Sequence, residues 1–482
     1  MKSICEYLEE DERKWKDRPY IHVWREEKFQ AVSFGKTISD IKNLGKALND
    51  RGLHGKNIMI YSENSYEWMV LYLSIMGYVG KCVPVDKEWT EFDIRNTLSV
   101  LAIDAVFYSQ KKKECIKKLQ EVYPGILCVC IEEEFLRYIA AGAKSSSPLE
   151  GERNLQKTVM ILFTSGTTNV PKAIPLTQAN LFNNWETLYQ RTPMRENDIS
   201  YVFLPLNHVY SGVANFLYSI ISGMQLYLCS DITKIIEEML LVRPTVVCMV
   251  PLILSRVYET VTNETAQTER IMEMLRGIRF LYCGGSFTDL TIKKFFISQG
   301  VHLLEAYGTT ETSSVIALDI IGDLNIDSNG VIFENLDVKI SEPDENGVGE
   351  ILVKGGSVSS GYLSRNDHYS EFDSEGYYHT GDLGRIDETR HLYIKGRKKR
   401  MIITENAKNV YVDEMEELLL QNPNLQKAVI FEEDHHIAVS VIGNLSREEV
   451  TEYVEEINRK LPKYKRIKNI YVRMDVPGGR IK

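Results

Sequence analysis

The chain has 482 residues, 44% of them hydrophobic, and a formal net charge of -10. That length can bury at least one large core and implies more than one domain. The acidic balance argues against wholesale nucleic-acid binding, because no basic excess exists to neutralise phosphates, but it leaves local anion sites open.

The N-terminal stretch MKSICEYLEEDERKW lacks the apolar core of a signal peptide, and no uninterrupted apolar run is long enough to span a bilayer. The eight cysteines are scattered. Only Cys128 and Cys130 lie close together, on alternate sides of the strand-like run ILCVCI, which favours buried thiols over a metal or disulfide site. The expectation is a soluble cytoplasmic protein with no integral membrane segment.

Strands and helices then alternate. Lys56–Glu63 reads as a strand, and the stretch behind it spaces Trp68, Leu71, Tyr72, Ile75 and Met76 as one apolar helix face. AIDAVFYS, ILCVCI, MILFTS, QLYLCS, TVVCMVP and RFLYCGG follow as short apolar strands with helical or loop material between them. This is the pattern of an α/β body built from mostly parallel sheets covered by helices. After Gly308 the texture turns β-rich, with DVKI, GEILVKG and HLYIKG broken by Gly and Asp. The last stretch predicts a helix over Val412–Leu420, a hairpin-like AVIFEEDHHIAVSVIG, a helix through Arg447–Leu461 and a final strand in LPKYKRIKNIYVRMD. The expected organisation is a large body over residues 1–398 and a small, mobile α+β lid over 399–482.

The chemistry-bearing residues sit where strands end. Thr164, Ser165, Gly166, Thr167 and Thr168 leave the strand MILFTS with small side chains whose amides and hydroxyls can converge on an anion, and Lys172 adds a point charge. Pro171 before the lysine and the missing Gly-x4-Gly-Lys spacing exclude a Walker A loop. Taken alone, a Thr-rich surface loop explains this segment equally well. YCGGSF runs a strand into Gly284 and Gly285, which permits close backbone approach to a flat ligand. LLEAYGTTETSS ends another strand and sets Glu311 beside two threonines, suited to a phosphate and its divalent cation. YHTGDLGRID reads as a glycine-flanked turn presenting Asp382 to the hydroxyls of a ribose, or as an Asp-capped hairpin turn. GRKKRMIITENAKNVYVDEMEEL places Arg397 and three further positive charges at the border between body and lid, where a solvated basic face is the plain alternative.

Together and in this order, TSGTTNVPK, LPLNHVYSG (Leu204–Gly212), YGTTE, the TGD of Thr380–Asp382 and GRKKRMIITENAKNVYVDEME resemble the adenylate-forming superfamily of AMP-binding enzymes, over nearly the whole chain. That superfamily includes acyl-CoA synthetases, luciferases and peptide-synthetase adenylation domains. The resemblance implies that a carboxylate attacks the α-phosphorus of ATP to give an acyl-AMP and pyrophosphate, and that a thiol then displaces AMP. It assigns the β,γ-phosphates to Thr164, Ser165, Gly166, Thr167, Thr168 and Lys172, the α-phosphate to Thr310, and Mg²⁺ to Glu311. Gly284, Gly285 and Tyr307 take the adenine, Asp382 the ribose hydroxyls, and Arg397 ribose and phosphate, with Lys399 at the hinge of the lid.

Three positions depart from the family pattern. Arg480 stands where the lid carries a catalytic lysine, which keeps the charge but spreads it over a wider planar fork, so slow adenylation is expected. Ala407 replaces a glycine near the pantetheine passage, and Asn169 replaces a glycine of the phosphate loop. His208 occupies the position where amino-acid-activating relatives place an aspartate, which favours a plain carboxylic acid. Tyr210, Val213, Phe216 and Met249–Leu252 are candidates for a mainly apolar acyl pocket, and the ENxKN and PxYKRI segments have the texture of bacterial fatty-acyl-CoA synthetases. The acceptor is expected to be coenzyme A, with the phosphopantetheine of a separate acyl carrier protein as the alternative. A non-catalytic ATP-binding protein is the reading from a different class.

Overall fold

The computed structural model describes residues 1–164, 171–263, 267–323, 325–363, 371–403, 409–433, 436–461 and 465–474. Of the residues singled out above, Ser165, Gly166, Thr167, Thr168, Asn169, Ala407 and Arg480 lie outside them. The chain divides into two compact units, one made of Met1–Asp337 and Val353–Tyr378, the other of Val338–Leu352 and His379–Lys482.

The first unit holds two large sheets among the described residues. One has six strands in the order Leu127–Cys130, Ala105–Tyr108, Asn57–Tyr61, Lys81–Pro84, Thr158–Thr164 and Lys172–Thr177. All neighbours in it are parallel except the last pair. The other has nine strands, with a parallel centre formed by Leu303–Tyr307, Phe280–Gly284, Val246–Met249, Ile199–Val202, Gln225–Leu228 and Pro19–Arg25. Antiparallel strands close both of its edges. Central strands such as Val246–Met249 and Ala105–Tyr108 are buried along their whole length, as continuous apolar runs in parallel sheet require.

The helix that follows Asn57–Tyr61 departs from the one-faced reading. Tyr66–Ser74 is buried at every position except Glu67 and winds on into a π-turn over Ile75–Val79. Trp68 stacks on Tyr72, whose ring lies 5.7 Å from Phe216. A helix apolar all round belongs inside a large core, and the apolar residues between the expected positions supply that character here.

In the second unit, strands Leu425–Glu433 and His436–Gly443 pair antiparallel as expected, and Ile467–Met474 joins parallel to the second of them. Helices Val412–Leu420 and Arg447–Lys460 contribute Met415, Leu419, Val450, Val454 and Ile457 to one core with these strands. Ser446 caps the second helix through a capping box with Glu449. Strand Leu392–Arg397 pairs antiparallel with Tyr378–Ile386, and the turn Lys398–Arg400 leads on to the ribbon Met401–Ile403 and Asn409–Tyr411. No helix among the described residues is long and apolar enough to cross a membrane. All eight cysteines are free, five of them buried and three half-buried.

Candidate active site

In open α/β sheets ligands gather at the carboxyl ends of parallel strands, and three of the expected site residues of the first unit end such strands. Thr164 is the last residue of Thr158–Thr164, Gly284 the last of Phe280–Gly284, and Tyr307 the last of Leu303–Tyr307. Gly285 follows with φ +84°, a left-handed conformation that glycine adopts without strain. A cavity of about 480 Å³ is lined by Thr164, Thr310 and His208 together with Asp86, Trp89, Phe92 and Phe163. Tyr210, Val213, Phe216 and Met249–Leu252, the candidates for an acyl pocket, are not among the residues that line it. Val213 and Phe216 are fully buried core residues, and the Tyr210 hydroxyl donates to the Met249 carbonyl at 3.1 Å. His208 is exposed and its Nε2 lies 3.6 Å from Oδ2 of Asp86, within ion-pair range when the ring is protonated.

Glu311 occupies a single 3-10 turn, Thr310–Thr312, and is 7% exposed. Its Oε1 accepts a hydrogen bond from the Tyr362 hydroxyl at 2.9 Å, and the Tyr378 phenol is within reach of its charge. Burial first and the Glu311 charge second push both phenols above the ordinary tyrosine range, so both remain protonated donors at neutral pH. Phe372 packs against the two rings, 5.8 Å from Tyr362 and 5.2 Å from Tyr378. Lys172 lies with its ammonium 4.8 Å from the centre of the Tyr362 ring and is ion-paired with Glu371. The other oxygen of that carboxylate, Oε2, is buried without a hydrogen-bond partner. The expected phosphate lysine and the expected metal carboxylate thus meet through one tyrosine.

The second unit brings Asp382 and Arg397 together. They are register partners across Tyr378–Ile386 and Leu392–Arg397, and Arg397 Nε lies 2.8 Å from Asp382 Oδ1. Asp382 sits inside a strand rather than in the expected turn. Gly381 takes φ +70°, and Gly384 allows a close approach, since a Cβ there would stand 2.7 Å from the Tyr393 carbonyl oxygen. The flanking glycines therefore serve an irregular strand pair whose register shifts at Leu383/Gly384. Lys399 lies exposed in the turn Lys398–Arg400.

Tyr362, Tyr378, Glu371 and Asp86 were not among the expected site residues. Tyr378 begins the segment that carries Asp382, which is a local signal for it; the others belong to no motif in the sequence. Glu311 offers a hard oxygen donor, and no group of three or more metal-ligating side chains occurs among the described residues. That donor set fits magnesium, which is commonly held by one or two carboxylates plus substrate phosphates and water.

Residues 8–363 match the AMP-binding enzyme family. The chain is 26% identical over 437 residues to the long-chain-fatty-acid–CoA ligase FadD15 of Mycobacterium bovis, covering 78% of this chain and 71% of that protein. It is 29% identical over 441 residues to the 2-succinylbenzoate–CoA ligase of Bacillus cytotoxicus, covering 88% and 85%. Its fold is similar to that of o-succinylbenzoate CoA synthetase (MenE) from Bacillus subtilis in complex with the acyl-adenylate intermediate OSB-AMP, with a TM-score of 0.82, 22% identity and coverage of 98% and 95%. ATP-bound MatB from Rhodopseudomonas palustris is similar at a TM-score of 0.84, 21% identity and coverage of 98% and 96%.

Proposed function

Because the chain belongs to the AMP-binding enzyme family, we propose that it is an AMP-forming acid–thiol ligase, activating a fatty acid with ATP and passing the acyl group to coenzyme A. The observation that carries this reading is the meeting of Lys172 and Glu311 around Tyr362, beside strand ends that bear Thr164 and Tyr307. A cation and a hard-oxygen carboxylate held together in partly buried surroundings suit a polyphosphate and its metal.

In the first half-reaction a carboxylate oxygen of the acid forms a bond to the α-phosphorus, and the bond from that phosphorus to the bridging oxygen breaks, releasing pyrophosphate. Lys172 offsets charge on the departing phosphates, and Thr310 contacts the α-phosphate. Magnesium, held by Glu311, would supply further neutralisation of phosphate charge. Asp382 accepts from the ribose hydroxyls, and its pairing with Arg397 fixes the carboxylate for that task. In the second half-reaction the thiolate sulfur attacks the acyl carbon and AMP leaves. Lys399 carries over as the hinge and residues 399–482 as the lid, and Arg480 as the lid cation. Localisation in the cytoplasm accompanies this reading.

Two relatives with different acids, a long-chain fatty acid and 2-succinylbenzoate, are both CoA ligases by name. This supports coenzyme A as acceptor more strongly than it supports any one acid. The test is pyrophosphate release with ATP and Mg²⁺ across carboxylic acids from acetate to palmitate plus benzoate, with and without coenzyme A. Release that depends on fatty acids and rises with coenzyme A is expected. Release indifferent to coenzyme A would move the acceptor to a carrier protein, and nucleotide binding without any acid-dependent release would overturn the ligase reading. Glu311→Gln should abolish the Mg²⁺-dependent turnover while the fold survives.

A further inference from the structure

Tyr362 belongs to a segment tied to the neighbours of both charges. Ser359 N donates to the Glu311 carbonyl at 2.7 Å, and Ser359 Oγ donates to the Pro175 carbonyl at 2.8 Å. At the other end Leu363 N donates to the carbonyl of Ala173, the residue after Lys172, at 2.8 Å. Gly361, at φ +135°, turns the chain between these anchors in a conformation that other residues rarely adopt. The backbone thus holds Tyr362 against the Glu311 turn and the start of strand Lys172–Thr177 at once. Its hydroxyl reaches the carboxylate at 2.9 Å and its ring faces the ammonium at 4.8 Å.

We propose that Tyr362 is the positioning residue of the phosphate end of the site, its hydroxyl orienting the Glu311 carboxylate for the metal and its ring orienting the Lys172 ammonium for the phosphates. The two functions reside in different parts of one side chain, so they separate by substitution. Tyr362→Phe removes the hydroxyl and keeps the ring; Tyr362→Leu removes both.

This inference rests on the proposed ATP- and Mg²⁺-dependent function. The experiment is calorimetric titration of the full chain with ATP, in the absence of any acid, in excess EDTA and again over a Mg²⁺ series. The wild type is expected to bind ATP more tightly as Mg²⁺ rises. Tyr362→Phe should leave the Mg²⁺-free affinity within about twofold and raise the Mg²⁺ concentration for half-maximal tightening by about tenfold, the usual size for loss of a hydrogen-bonded support to a metal ligand. Tyr362→Leu should add a roughly threefold loss of Mg²⁺-free affinity, the size of a partly exposed cation–π contact.

A wild type that binds ATP without any Mg²⁺ dependence would overturn the functional reading and this proposal with it. A wild type that responds to Mg²⁺, with Tyr362→Phe responding identically to it, would overturn the hydroxyl's role alone. Equal Mg²⁺-free affinities for the Phe and Leu variants would overturn the ring's role. A merely structural tyrosine would lower all affinities together and leave the Mg²⁺ midpoint where it was.

Discussion

Lys172 is already paired before any phosphate arrives, and Glu371→Gln tests what that pairing costs. Both groups are partly shielded, with side-chain exposures of 15% and 29%, and one oxygen of Glu371 is buried without a partner. An exposed ion pair is worth about 0–1 kcal/mol, whereas breaking a buried one costs about 3–5 kcal/mol. A pair of intermediate burial falls between these limits, at roughly 1–2 kcal/mol, or about 5- to 30-fold in an equilibrium constant. A triphosphate must displace the carboxylate to engage the ammonium, so the glutamine variant should bind ATP tighter by about that factor. The assay is the ATP dissociation constant at fixed Mg²⁺, measured for wild type and variant at several ionic strengths; the gain should shrink as salt screens the pair. In a double-mutant cycle, Lys172→Ala should weaken binding and erase the gain from Glu371→Gln. Unchanged or weaker binding by Glu371→Gln would refute the reasoning, because Glu371 would then be supporting the nucleotide or its metal rather than competing with them.

Asp11 is buried and one of its carboxylate oxygens has no partner; burial pushes its pKa up to about 8 from an ordinary 3.8. The folded state therefore keeps a proton that the unfolded chain releases, so stability should fall as pH rises from about 4 to about 8 and level off above. Asp11→Asn should flatten that slope in melting temperatures measured across the window, with a ceiling of about 6 kcal/mol at its alkaline end. Lys293 is buried between Glu305 at 2.8 Å and Asp319 at 3.0 Å. Lys293→Met leaves two acids facing one another and should destabilise the chain by about 3–5 kcal/mol in denaturant unfolding. A Cβ on Gly308 would stand 1.5 Å from the Ser314 carbonyl oxygen. Gly308→Ala should therefore displace the turn that carries Glu311, lower stability by about 1–3 kcal/mol and weaken Mg²⁺-dependent ATP binding in the same calorimetric assay.

What the sequence disclosed was local. The strand ending at Tyr307 and the helix Val412–Leu420 follow from apolar runs and periodicity within a dozen residues, and the structure places both there. The glycines around Asp382 read as a turn, but glycine is a turn signal only when its freedom is used to reverse the chain; at Gly384 the missing side chain instead admits the Tyr393 carbonyl across a strand pair. Val213 and Phe216 are candidates for a pocket wall in the sequence because composition does not tell such a wall from a core. Packing against Tyr72 made Phe216 core. The partners of the two charges were out of reach for a further reason. Tyr362 lies 51 residues from Glu311, and Glu371 lies 199 residues from Lys172. No periodicity links positions so far apart, and only the closing of the chain brings them within hydrogen-bond distance. A motif thus states which charge is available, while the strength of that charge toward a nucleotide depends on neighbours that the motif does not contain. It follows that two chains with the same YGTTE and Pro-Lys segments should differ in ATP and Mg²⁺ affinity according to what stands at the positions of Tyr362 and Glu371, and that exchanging those two side chains should transfer the difference.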